Sequence, residues 1–156
     1  MCYLDLDQFK VINDTCGHAA GDQLLRKVTE LLKSLLHSDE TLARLGGDEF
    51  GLLIQNAGLD EAVRIAERML SAIKAFRFYW EGRTFSLGVS IGMTVITRKS
   101  SDVNSVVSIA DAACYAAKEK GRNSVQAFNP GDIELDQRRQ EMRVLSRISS
   151  ALDENR

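Results

Sequence analysis

One short stretch constrains this chain more than any other, the sequence Gly-Gly-Asp-Glu-Phe at residues 46–50 with an apolar run on each side. The flanking runs, residues 41–45 and 50–54, have the composition of strands. A Gly-Gly pair between two such runs predicts a β-hairpin, because glycine takes the positive φ of a tight turn at little cost. We expect Asp48 and Glu49 to start the return strand, with one carboxylate facing each side.

A second strand ending in acids begins the chain. Residues 3–7 alternate apolar and polar side chains and carry Asp5 and Asp7 at their end. If this strand lies beside the hairpin, its carboxylates and those of the hairpin meet at one place. Carboxylate oxygens are the ligands that hard divalent cations prefer, so the sequence predicts a shared cation there.

Length and charge limit the other possibilities. The chain has 156 residues, which suits one hydrophobic core, and its formal net charge of −2 argues against general nucleic-acid binding. Its three cysteines, Cys2, Cys16 and Cys114, lack the spacing of a metal or redox motif, which favours buried thiols in a reducing compartment. No signal peptide or membrane-spanning stretch is visible, and we therefore expect a cytoplasmic location.

The element pattern indicates an α+β fold. Its order, β-α-α-β-β-α-β-α-β, predicts a mixed, mainly antiparallel five-stranded sheet flanked by helices. The expected strands are residues 2–6, 41–45, 50–54, 76–80, 84–97 and 124–128. The expected helices are residues 7–15, 59–76 and 103–120, and a further helix follows a glycine-rich turn at residues 16–22. Asn129-Pro130-Gly131 marks a boundary between a domain at 1–129 and a linker helix at 130–156.

The remaining motifs narrow the chemistry. The chain has neither of the two common glycine-rich loops that bind phosphate. It has only two histidines, which argues against a hydrolytic triad. Acids with a metal and nearby cations are typical of phosphoryl and nucleotidyl transfer. Lys118 and Arg122 are four residues apart, so their side chains would lie on the same face if one helix carried both. Asn13 and Asp22, otherwise turn or cap residues, offer the amide and carboxylate that match the edge of guanine.

These motifs together resemble the GGDEF family of diguanylate cyclases over residues 1–128. Five blocks agree in order and spacing: residues 5–14 with Asp-x-Asp-x-Phe-Lys-x-x-Asn-Asp, 17–22 with Gly-His-x-x-Gly-Asp, the hairpin, 90–92 and 110–123. The resemblance implies a nucleotidyl-cyclase, palm-like fold. It also implies a domain that lacks the family's lead-in helix, and a tail similar to linkers that precede an EAL phosphodiesterase domain.

The resemblance also implies a role for each candidate residue. Mg²⁺ or Mn²⁺ would be held by Asp5, the backbone carbonyl of Leu6, and Asp48, with Glu49 as a second metal ligand or proton acceptor. The general base is left open between Asp48 and Glu49. Guanine would be read by Asn13 and Asp22 with help from His18, and the triphosphate neutralised by Lys10, Lys118 and Arg122. Lys10 is thereby counted with Asp48 and Glu49 among the catalytic residues.

The implied reaction condenses two GTP molecules into cyclic di-GMP and two pyrophosphates at a homodimer of domains, with sensory and EAL domains linked outside this chain. The alternative is a silent GTP-binding module that regulates an attached phosphodiesterase; it predicts GTP binding without turnover. One departure from the family is specific. Where many members carry an Arg-x-x-Asp product-inhibition site, this chain has His37 and Glu40, so we expect that feedback site to be absent.

Overall fold

The structure, a computed structural model, describes residues 1–129. Its strands are β1 (Cys2–Asp7), β2 (Glu40–Gly46), β3 (Glu49–Ile54), β4 (Arg77–Trp80), β5 (Arg83–Ser86), β6 (Gly88–Met93) and β7 (Val125–Ala127). Its helices are α1 (Phe9–Cys16), α2 (His18–Ser34), α3 (Leu59–Ala75) and α4 (Val103–Glu119). None of these helices is long and apolar enough to cross a membrane. The predicted linker helix lies outside the described residues.

The main sheet has five strands in the order β2-β3-β1-β6-β7. All neighbours are antiparallel except β6 and β7, which are parallel. The predicted α+β fold with a mixed, mainly antiparallel sheet is therefore confirmed. Strand β1 lies at its centre with every residue buried, and β3, which carries the hairpin acids, is its direct neighbour.

The predicted strand at 84–97 is wrong in its extent. It divides at Leu87 into β5, which pairs only with β4 in a separate two-stranded sheet, and β6, which joins the main sheet. Strand β6 also ends at Met93 because its partners end there: Met93 pairs with Cys2 on one side and with Ala127 on the other.

Two turns also differ from expectation. Gly46 belongs to β2 and pairs with Glu49, so the hairpin tip is Gly47-Asp48, with only Gly47 at positive φ, +48°. Asp48 therefore lies in the turn rather than at the start of β3. Helix α2 begins at His18, because the single residue Gly17, at φ +85°, makes the whole turn that was predicted to extend over 16–22.

Alternation along β1 divides the sheet into two faces. Leu4 and Leu6 point into the core that α2 and α3 cover. Tyr3 points to the other face and packs against Ala110 and Cys114 of α4. Helix α4 lies very close to β6, since a Cβ on Gly92 would overlap the α4 backbone at Ala110 and Cys114. The sheet face that carries Asp5 is therefore the face on which α4 is docked.

Candidate active site

The register of the central strands brings the predicted acids together. Asp5 pairs with Glu49 across β1 and β3, so their side chains share the α4 face of the sheet. The next residue, Leu6, donates its backbone N–H to the Asp48 carbonyl at 3.2 Å. The acid-bearing end of β1 and the hairpin tip thus lie in direct contact, which a common site requires.

A side chain fixes the hairpin tip. Arg44 Nε donates to the Gly47 carbonyl at 2.9 Å, across a register shift between Arg44 and Gly46. This bond holds the turn that presents Asp48.

Lys118 reaches Asp5 from α4. Its Nζ lies 2.6 Å from Asp5 Oδ2, and both side chains are mostly shielded from solvent. Burial raises the pKa of Asp5, against the lowering effect of Lys118 and with the help of the Asp48 and Asp7 charges. Burial opposes the charged form of Lys118 too, yet the hydrogen bond and charge of Asp5 outweigh it and raise its pKa. The pKa of Asp5 thus reflects its desolvation, whereas the pKa of Lys118 reflects the ion pair.

Glu49 has a partner that the sequence did not reveal. Burial, followed by the nearby Glu49 carboxylate, raises the pKa of the Tyr3 phenol. Tyr3 therefore stays neutral, with its hydroxyl close to Glu49. Tyr3 lies two residues before Asp5, and the alternation of β1 is the only signal that could have placed it on this face.

The residues fit a hard divalent cation bound together with a nucleotide. In residues 1–129 no three His, Cys, Asp or Glu side chains are close enough to hold an ion by themselves. Mg²⁺ in proteins is commonly held by one or two carboxylates with substrate phosphates rather than by a complete protein cage. Asp5 already attracts an ammonium group to this position, which shows that the site favours a positive charge.

The predicted guanine readers lie at the contact of α1 and α2. Asn13 Oδ1 is buried and has no hydrogen-bond partner in the described part of the chain. A Cβ on Gly21 would overlap that oxygen, so glycine is required for the helices to approach here. Asp22 follows Gly21 and is exposed. An unpaired buried acceptor is costly, and Asn13 Oδ1 is available to accept a hydrogen bond from a bound molecule.

The remaining predicted residues are not joined to this cluster. Lys10 on α1 and His18 at the start of α2 are exposed, and no contact within residues 1–129 links their side chains to the other site residues. The condition for Lys118 and Arg122 to share a helix face is not met. Helix α4 ends at Glu119, and Arg122 follows Gly121 in the left-handed region, at φ +64°.

Cavities give a partial guide to the site. Two shallow grooves border Asp22, one between α2 and Arg44 and one between α2 and Trp80. A third cavity, of about 410 Å³, lies at the other end of β1 and contains none of the predicted site residues. Asp5, Asp48 and Glu49 line none of the three, so hydrogen bonds and strand register define this site better than cavity shape does.

The region of His37 and Glu40, where we expect no feedback site, is occupied by internal contacts. The Glu40 carboxylate accepts the His37 backbone N–H at 3.1 Å and lies 3.7 Å from the Arg68 guanidinium. Arg68 also donates to the Leu35 carbonyl at 2.9 Å. The absence of product binding here stays a prediction.

The fold and the paired acids define a class, an α+β domain with acids at a hairpin tip beside a central strand. Residues 1–124 match the family described as diguanylate cyclase, GGDEF domain, and the chain belongs to that family. The GGDEF domain of TpbB (YfiN) from Pseudomonas aeruginosa superposes with a TM-score of 0.78 at 33% identity, covering 87% of this chain and 80% of that one.

Two curated relatives have names that state different activities. The probable diguanylate cyclase DgcE of Escherichia coli is 47% identical over 130 residues, 83% of this chain and 12% of that protein. The cyclic di-GMP phosphodiesterase PdeB of Shewanella oneidensis is 36% identical over 155 residues, 99% of this chain and 18% of that protein. The chain thus spans less than a fifth of each relative.

Proposed function

We propose that this domain is a diguanylate cyclase that condenses two GTP molecules into cyclic di-GMP and two pyrophosphates. The observation that carries the proposal is the register of β1 and β3, in which Asp5 lies opposite Glu49. In the same register the Leu6 N–H donates to the Asp48 carbonyl. This register gathers carboxylates from two neighbouring β-segments beside a cationic side chain. Asn13, with its unpaired acceptor, and Asp22 supply the guanine specificity.

The chain's own residues account for binding and charge compensation. Asp5, Asp48, Glu49 and the Leu6 carbonyl would hold Mg²⁺ or Mn²⁺, which lowers the pKa of a bound hydroxyl and offsets phosphate charge. Lys10, Lys118 and Arg122 neutralise the triphosphate. Lys118 would leave Asp5 when the cation binds, because the ion takes the place of the ammonium group on that carboxylate.

The reaction needs two domains facing each other, each with one GTP. The 3′-hydroxyl of each nucleotide attacks the α-phosphorus of the other, forming a phosphodiester bond while the bond to the β-phosphate breaks and pyrophosphate leaves. The hydroxyl proton passes to Asp48 or Glu49. The two acids differ in their surroundings, since the Glu49 carboxylate lies close to the Tyr3 hydroxyl, whereas the Asp48 carboxylate is at the hairpin tip.

Product analysis tests the proposal. The domain is incubated with GTP and Mg²⁺ or Mn²⁺, and the products are separated by chromatography. We expect cyclic di-GMP and pyrophosphate from the unaltered chain and neither from Asp48→Ala. Cyclic di-GMP formed equally by Asp48→Ala would contradict the assignment of the acids.

A second candidate is a GTP-binding module that regulates an attached phosphodiesterase. It is favoured by the likeness of nearly the whole chain to a protein named as a cyclic di-GMP phosphodiesterase. This candidate predicts calorimetric GTP binding without product, and a change in the activity of an attached phosphodiesterase domain when GTP is added.

A further inference from the structure

The turn that follows α4 has an unusual backbone. Gly121, Arg122 and Asn123 lie in succession at positive φ, +114°, +64° and +45°. The first part is a Schellman motif: the Gly121 N–H donates to the Lys118 carbonyl at 3.3 Å, and the Arg122 N–H donates to the Ala117 carbonyl at 3.1 Å. Glycine suits the first position, but arginine is disfavoured in this region and must be held there by its surroundings.

Asp7 helps to keep the turn at residues 121–123 in this conformation. This carboxylate, at the end of β1, is only 6% exposed and accepts two hydrogen bonds. Its Oδ2 accepts the Asn123 backbone N–H at 2.9 Å, and its Oδ1 accepts the Ser90 hydroxyl at 2.8 Å. No cation pairs with Asp7 among residues 1–129. A buried carboxylate without a cation is costly, and these two bonds are its compensation.

The sheet leaves room for this arrangement at one residue. Gly88 faces Asp7 across β1 and β6, and a Cβ there would lie 2.9 Å from Asp7 Oδ2. The same Cβ would lie 3.4 Å from the side chain of Asn123. A larger residue at 88 would therefore press on the carboxylate and on the turn that it binds.

We infer that Asp7 is a positioning residue for Arg122, acting through the Asn123 N–H. The inference rests on the proposed function, in which the Arg122 guanidinium meets the triphosphate. That side chain is exposed and makes no hydrogen bond or ion pair among the described residues, so the backbone of the turn fixes the place from which it reaches out. Asp7 differs in this role from Asp5, which pairs directly with Lys118 and would hold the metal.

Affinity for two guanine nucleotides tests the inference. A non-hydrolysable GTP analogue and GMP are titrated calorimetrically into the unaltered chain, Asp7→Ala, Asp7→Asn and Ser90→Ala. We expect Asp7→Ala to weaken binding of the GTP analogue about tenfold, the loss typical of one misplaced charged contact, and to leave GMP binding unchanged. Ser90→Ala is the matched control, because it removes the other bond of Asp7 but leaves the turn bonded.

Asp7→Asn should bind the GTP analogue with nearly the affinity of the unaltered chain. Its amide oxygen can still accept the Asn123 N–H, while its amide nitrogen donates to the Ser90 hydroxyl, which can accept as well as donate. Hydrogen exchange of the Asn123 amide should be fast in Asp7→Ala and slow in Asp7→Asn and in Ser90→Ala. This readout follows the turn itself and does not depend on nucleotide.

A double-mutant comparison separates positioning from general damage. In an Arg122→Ala background, Asp7→Ala should cause no further loss of affinity for the GTP analogue. An equal further loss in that background, or an equal loss for GMP, would overturn the inference. Unchanged affinity of Asp7→Ala for the GTP analogue, with the unaltered chain binding that analogue, would also overturn the inference. Absence of nucleotide binding in the unaltered chain would instead overturn the proposed function, and this inference with it.

Discussion

In the free domain, Lys118 occupies the place on Asp5 that a divalent cation would take. Lys118→Met removes this competitor while keeping a long side chain. We expect the variant to bind Mn²⁺ about tenfold more tightly in the absence of nucleotide and to bind a GTP analogue more weakly. The two changes have opposite signs because, in the proposed function, Lys118 competes with the metal for Asp5 and also neutralises phosphate. Titration calorimetry measures both.

Lys10→Met provides the control for that experiment. Lys10 is exposed on α1 and pairs with no acid among residues 1–129. Its loss should weaken binding of the GTP analogue without strengthening Mn²⁺ binding. If Lys118→Met binds Mn²⁺ no better than the unaltered chain, the ion pair with Asp5 does not compete with metal.

Gly21 controls the position of Asn13. A methyl group at residue 21 would displace the Asn13 carboxamide and push on Phe9, whose nearest ring atom would lie 3.1 Å from the added carbon. Gly21→Ala should therefore weaken guanine-nucleotide binding at least about tenfold, although alanine ordinarily favours a helix. Gly58→Ala is the control, since Gly58 has open space and ordinary φ. Equal nucleotide affinity in Gly21→Ala and the unaltered chain would contradict the assignment of Asn13.

At the scale of elements, α4 and β6 depend on Gly92. A side chain there would collide with the α4 backbone, which cannot move aside as a side-chain tip can. We expect Gly92→Ala to lower the free energy of unfolding by about 3 kcal/mol, at the upper end of overpacking costs. Urea denaturation measures this. A loss below about 1 kcal/mol would show that α4 shifts easily and holds Lys118 only loosely in place.

The elements also show what could be predicted from the sequence. Periodicity located the four helices of residues 1–129. The positions of the acids made the adjacency of β1 and the hairpin a condition for a shared site, but did not establish it. The division at Leu87 could not be predicted, because side chains alternate smoothly through Phe85, Leu87 and Val89 while the strand changes its partners. A pattern along one strand does not specify which strand lies beside it.

The same limit applies within the site. Asp5, Asp48 and Asn13 could be identified because each lies in a recognisable local motif. The bond between Asp7 and Asn123 joins residues 116 positions apart and involves a backbone N–H, so neither residue type indicates it. The proximity of Tyr3 to Glu49 could not be predicted for a similar reason, since the two residues lie on strands that are distant in the sequence.

At the scale of the whole molecule, buried neutral groups set the response to alkaline pH. Burial raises the pKa of Cys2 to about 11 and that of Cys114 to about 12, from an ordinary value of 9.0. These folded values exceed the unfolded ones, so the stability they contribute is present below about pH 9 and is lost as pH rises through the folded values. We expect the free energy of unfolding to fall between about pH 9 and pH 11.

Urea denaturation at about pH 8, 9, 10 and 11 checks this expectation. Cys114→Ala removes one of the two thiols, and its stability should fall less steeply with pH than that of the unaltered chain. Stability that stays constant over this whole range would mean that these thiols ionise as readily in the folded chain as in the unfolded one.

The most direct test of the central claim is the position of a bound ion. Crystals of the domain with Mn²⁺ and a non-hydrolysable GTP analogue would show the ion by its anomalous scattering. We predict a peak in contact with Asp5 and a hairpin acid, with the guanine at Asn13 and Asp22 and Lys118 moved onto phosphate. An ion bound elsewhere, with Lys118 still paired to Asp5 beside bound nucleotide, would contradict the proposed site.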